Sequence, residues 1–191
     1  MCEVIGSILS TNPVNLMSLN FVWRIIMLCV GLFGTCDNNR WRDPFMAKYN
    51  SLGIEHFNPM VDDWHPGMVP LEAQHLAEDE IILFPILGWS YGQGSLSELG
   101  FGPLKAMRQN RNRSFVYFIE TTLHERLTDA DQCKTSLRAR KLLLGHLKEL
   151  DAPNIYVVNS LDQMMETSVE LYKVHHTQRQ LHEAASASMT G

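Results

Sequence analysis

The sequence predicts an α/β fold built on a doubly wound parallel sheet, and three features predict it. Apolar runs recur without polar alternation, Arg24 to Phe33 and Ile81 to Leu87 being the clearest, as strands buried on both faces require. Stretches of helical composition separate these runs, so right-handed crossovers place helices on both faces of the sheet. Polar turns, Gly34-Thr35-Cys36 and Gly88 to Gly94, close the two clearest runs, where open α/β sheets bind their ligands.

Residues 1–22, uncharged apart from Glu3, form an N-terminal extension to a single domain over 23–183. Arg24 to Phe33 is the first strand. Trp41 to Leu52 is a helix with Pro44 in its first turn and Gly53 as its stop. Ile54 to Phe57 is a short second strand, ended by Asn58-Pro59. A loop over Met60 to Val69 leads to a helix over Pro70 to Glu78, then to the third strand, Ile81 to Leu87. The Gly-rich turn follows, with a helix over Leu99 to Met107. Lys105, Arg108, Arg111 and Arg113 suit that helix's negative end. Ser114 to Ile119 is the fourth strand, Asp131 to Leu150 a long amphipathic helix and Ile155 to Val158 the fifth strand. Ser160 caps a last helix running to about Glu183, and 184–191 is a flexible tail. Five strands in the order 2-1-3-4-5 make a flavodoxin-like sheet whose crevice lies between the ends of strands 1 and 3.

The chain of 191 residues is 45% apolar and 19% charged, the balance of a folded domain. A net charge of −5 argues against a nucleic-acid polymer as partner, which needs a basic face. No apolar run approaches the ~18–20 residues of a membrane span, and no signal peptide is recognisable. Four cysteines without metal-like spacing suit a reduced, cytoplasmic setting. Neither a P-loop nor a dinucleotide fingerprint is present, so no cofactor is expected. Asp62, Asp63, His65 and His75 match no metal-binding spacing. His175, His176 and His182 read as a solvated helix face. Cys36 is reactive only if its pKa is lowered.

The chemistry centres on Gly94-Ser95-Leu96-Ser97-Glu98-Leu99-Gly100. Read locally, Ser95 and Glu98 make a capping box, satisfying helix N-terminal donors. Equally, a Gly-rich turn before a helix holds a carboxylate ionised over a binding crevice. The segment resembles the Gly-Thr-Ala-Phe-Glu-Ile-Gly and Gly-Tyr-Glu-Leu-Gly motifs of the nucleoside 2-deoxyribosyltransferases and the related deoxynucleoside 5'-monophosphate N-glycosidases. The Glu and both outer glycines are in register. Asn58-Pro59 with Val61-Asp62-Asp63-Trp64, and Gly34-Thr35-Cys36 with Trp41-Arg42, resemble segments of a deoxyribosyltransferase-like branch. Together these cover about residues 28–104.

The resemblance implies an enzyme that cleaves or exchanges the N-glycosidic bond of a nucleoside or its 5'-monophosphate. Glu98 would attack the anomeric carbon. Glu72, where those families usually carry Asp, would be the acid that assists base departure, though a first-turn Glu also simply complements a helix dipole. Gly34, Thr35, Cys36, Gly94 and Ser95 would hold sugar or phosphate. Asn58, Asp62, Asp63, Trp64 and Trp41 would line the pocket, Trp64 or Trp41 stacking on a base, although Asp in such a loop is also ordinary turn chemistry. The better-known transferases carry a base-binding Asp after the third strand; Trp89 and Tyr91 stand in that loop here and offer stacking surfaces instead. A homo-oligomer is expected. The alternative is a non-catalytic protein that binds a nucleotide-derived ligand on the same fold.

Overall fold

The computed structural model describes residues 28–36, 40–60, 65–99, 112–150 and 152–189. Its five strands are β1 (Cys29–Leu32), β2 (Glu55–Phe57), β3 (Ile81–Ile86), β4 (Ser114–Ile119) and β5 (Ile155–Val158). All pair in parallel, in the order β2-β1-β3-β4-β5. This is the flavodoxin-like, doubly wound sheet that the apolar runs predict.

The helices are α1 (Arg42–Leu52), α2 (Val69–Glu78) after a 3-10 turn at Pro66–Met68, α3 (93–99 in its described part), α4 (Ala130–Glu149) and α5 (Leu161–Met189). Strand periodicity explains the unbroken apolar runs, because alternate side chains enter different cores. Ile81 and Leu83 join Val30 and Leu32 against Phe45 and Tyr49 of α1 and Met164 of α5. Ile82, Phe84 and Ile86 face the other way, toward Leu76 of α2, Leu96 and Leu99 of α3 and Leu147 of α4. The Tyr49 and Ser168 hydroxyls, 2.5 Å apart, tie α1 to α5.

Pro85 sits inside a central strand, a place Pro normally avoids. Its nitrogen faces Gly34, past the last residue of β1, where the missing N–H withdraws no ladder bond.

Several boundaries differ from the sequence reading. The helix after β3 begins at residue 93, not at Leu99. Gly92 takes φ 68°, a left-handed turn that suits glycine, and its carbonyl accepts from Leu96 N at 2.8 Å to open the helix. Ser95 therefore lies inside the first turn, not at the cap, and the Ser95–Glu98 capping box is not the arrangement that forms. Lys105, Arg108 and Arg111 fall outside the described residues. Arg113 serves a different helix from the one expected. Buried, it donates to the carbonyls of Asp79 (2.6 Å), Ala77 (2.9 Å) and Leu76 (2.9 Å), closing the C-terminus of α2. At the other end of the chain, α5 continues through the segment expected to fray. Ala184, Ala185 and Ala187 are strong helix formers, and the Ser186 and Ser188 hydroxyls donate to the carbonyls of His182 and Ala185. His175 is not on a solvated face: its Nε2 lies 2.9 Å from Ser114 Oγ, and burial together with Arg179 lowers its pKa. No helix among the described residues is long and apolar enough to cross a membrane.

Candidate active site

A cavity of about 460 Å³ opens beyond the carboxyl ends of β1 and β2, beside α2 and α3. Phe33, Gly34 and Cys36 line it from the end of β1, and Pro59 and Met60 from the loop after β2. Val69, Glu72, Ala73 and Leu76 line it from α2, and Glu98 from α3. The cavity wall is thus largely apolar, with two carboxylates converging on it from separate helices.

Glu98 reaches the cavity because α3 starts early. Residue 93 opens the helix, so Glu98 stands in its second turn while Leu96 and Leu99 face the core. Much of the Glu98 side chain is open to solvent, yet crowding around the carboxylate raises its pKa above the usual range. The negative charge of Glu72 raises it further, and the Arg42 guanidinium partly offsets both. A helix N-terminus that simply holds Glu98 ionised is therefore not the governing influence.

The floor is built by residues whose polar groups face inward. Thr35 is buried. Its N–H and hydroxyl both donate to the Pro85 carbonyl, at 2.9 and 3.1 Å, and the hydroxyl accepts from Leu87 N at 2.9 Å. Thr35 thereby pins the turn after β1 to the end of β3 and does not line the cavity. Gly34 allows this crossing. Its φ is +91°, and a Cβ there would stand 2.4 Å from the Pro85 carbonyl oxygen. Trp41 is 2% exposed and packs edge-on against Phe45, and its indole N–H donates to the Thr35 carbonyl at 3.0 Å. It is a core residue beneath the floor, not a stacking surface.

Arg42 is the functional candidate that residue patterns passed over. Only 4% exposed, it donates to the carbonyls of Leu32 (2.8 Å) and Thr35 (3.0 Å), and to Cys36 Sγ at 3.6 Å. These bonds hold a positive charge under the cavity, near Glu98. A Trp-Arg pair at the start of a helix carries no signal of that role without the fold. The Cys36 thiol, also on the lining, donates to the Gly34 carbonyl at 3.4 Å. Burial pushes its pKa up, Arg42 opposes that and Glu98 adds to it, so the lowered pKa that reactivity needs is absent.

The remaining sequence candidates among the described residues lie elsewhere. Asn58 shapes the loop: its side-chain oxygen accepts from Met60 N at 3.0 Å and its amide donates to Met46 Sδ at 3.5 Å. Asp62, Asp63 and Trp64 lie outside the described residues. Ser95 is buried in α3, and Gly94 has open space around it. Trp89 stacks on His124, with ring centroids 4.0 Å apart, and carries Arg126 over its ring. Tyr91 lines a second groove of about 400 Å³ between α3 and α4, together with Gln93, Leu96, Ser97 and Gln132. The loop aromatics are thus committed to other partners and do not line the Glu98 cavity.

The Gly-rich loop itself is held from below by Arg140 of α4, a fully buried residue. Arg140 donates to the carbonyls of Ile86 (3.0 Å), Leu87 (2.9 Å), Ser90 (2.9 Å) and Glu120 (3.0 Å), and to Ser136 Oγ (3.1 Å). Gly88 N adds a bond to the Glu120 carboxylate. Four of the five guanidinium donors thus go to carbonyls at and around the sharp turn, and the fifth to a hydroxyl.

No protein-family model and no curated protein matches the chain. Among solved structures it is distantly similar to a chain from the crystal structure of the RPS4 and RRS1 TIR domain heterodimer. The identity is 11% and the TM-score 0.48, over 76% of this chain and 98% of that one.

Proposed function

We propose that the protein is an N-glycosyl transferase or hydrolase acting on a nucleoside or its 5'-monophosphate, most simply a 2-deoxyribosyl one. The observation that carries this reading is the meeting of Glu98 and Glu72 on one largely apolar cavity.

Glycosyl transfer needs a carboxylate for the anomeric carbon and a proton for the departing base. In the proposed step an oxygen of ionised Glu98 bonds to C1' of the sugar. The C1'–N bond breaks, and its electron pair leaves with the base, which takes a proton from Glu72. Water, or the nitrogen of a second base, then attacks C1' and releases Glu98. Glu72 receives the proton that this nucleophile sheds. The mutual repulsion of the two carboxylates favours a state in which one holds a proton. The Arg42 guanidinium partly offsets the cost of ionising Glu98. The apolar walls from Phe33, Val69 and Leu76 suit the faces of a base or deoxyribose.

Incubation with a panel of deoxynucleosides and their monophosphates, with and without free bases, tests the reading. Released base identifies a hydrolase and exchanged base a transferase. Thermal stabilisation by ligand without turnover instead identifies a binding protein and overturns the enzymatic reading. The expected assembly is a homo-oligomer, to be measured by sedimentation.

A further inference from the structure

A second cluster of reactive side chains lies at the opposite end of the sheet from the cavity. Cys29 opens β1, Asp79 follows the last residue of α2, and His75 precedes Asp79 by one helical turn. The thiol sulfur, a ring nitrogen of His75 and a carboxylate oxygen of Asp79 all lie within 4.8 Å of one another. The i,i+4 spacing puts the imidazole and the carboxylate on one face of the helix end, and the first residue of a buried strand brings the sulfur up to them.

The three groups are held, not merely close. His75 Nδ1 lies 2.9 and 3.1 Å from the two Asp79 oxygens. The imidazole stacks on Phe57 with centroids 3.6 Å apart and planes 4° from parallel, which fixes its orientation. Asp79 is 3% exposed, and Arg113 anchors its carbonyl. Cys29 N donates to the Glu80 carboxylate at 3.0 Å. A divalent cation bound here would take the place of the thiol proton, which leaves to solvent.

We propose that Cys29, His75 and Asp79 form a binding site for a divalent transition metal, zinc by preference. Thiolate, imidazole and carboxylate are the donors zinc takes, and ligand atoms all within 4.8 Å of one another can gather around one ion with water in the fourth position. The ion joins the start of β1 to the end of α2, the helix that carries Glu72 at its other end. Its role is a structural clamp, independent of the glycosyl chemistry.

The test is titration of the chelator-stripped full chain with Co²⁺, followed by absorption. The expected result is a thiolate-to-cobalt charge-transfer band in the near ultraviolet with tetrahedral d–d bands, saturating at a single equivalent and erased by Zn²⁺. Cys29→Ser abolishes the band, His75→Gln weakens binding by roughly tenfold or more, and Cys133→Ser leaves it intact. Absence of the band in the wild-type chain overturns the site, whatever the variants do. So does a band that persists in Cys29→Ser, or one that His75→Gln leaves unchanged.

Discussion

Glu98 carries opposing influences at a single carboxylate: crowding and Glu72 push its pKa up, and Arg42 pulls it down. A nucleophile must be ionised, so activity should fall on the acid side with an apparent pKa above that of an ordinary carboxylate. Glu72→Gln removes the repulsion and should move that acid limb to lower pH, while lowering the rate by about 10²–10⁴-fold through loss of the acid. The pH dependence of kcat/KM for base release measures both effects. Linkage gives a second outcome. Because the folded-state pKa of Glu98 is raised, ionising it costs stability as pH rises from the unfolded pKa through the folded one. Glu98→Gln should therefore raise the melting temperature at neutral pH and give no gain at acid pH. The effect is small, under about 1 kcal/mol, because solvent screens the group. Glu98 itself was legible in the sequence through its glycine-flanked motif. The influence of Arg42 was not, since its three acceptors, on Leu32, Thr35 and Cys36, meet it only once α1 has folded back against the end of β1.

At the scale of elements, the strands were readable because burial on both faces leaves unbroken apolar runs. β4 and β5 begin and end where the residue pattern puts them. The turn after β3 was readable as a turn but not in its details. Its helix starts at residue 93 because Gly92 adopts a positive φ and because Arg140, from a distant helix, occupies the loop carbonyls. Nothing local to the loop encodes that arginine. Arg140→Met should cost about 3–5 kcal/mol, since several buried carbonyls lose their donors together. Chemical denaturation measures the loss, and hydrogen exchange should show the 86–92 loop opening first. Thr35→Val deletes the hydroxyl that bridges Pro85 and Leu87. It should cost about 1–3 kcal/mol and loosen the cavity floor without removing any group from its lining.

Across the whole molecule, the parallel sheet places two chemistries at opposite ends of the same strands. The carboxyl ends carry the Glu98 cavity, and the other end carries the Cys29, His75 and Asp79 cluster. The crevice was predictable from topology, because strand order reverses beside β1 and leaves a gap that no connection fills. The cluster was not, because residues near in space come from positions 29, 75 and 79 with no spacing motif. Trp41, Trp89 and Tyr91 show the converse: aromatic residues next to a site look like ligand-stacking groups in a sequence, and the fold assigns them to core or loop packing.

The most direct measurement of the central claim is peptide mapping by mass spectrometry after acid quench of enzyme turning over a deoxynucleoside. A deoxyribosyl ester on the peptide containing Glu98, absent in Glu98→Gln together with base release, is the predicted result. A Glu98→Gln protein that releases or exchanges base at the wild-type rate, or a sugar adduct carried by another residue, would contradict it.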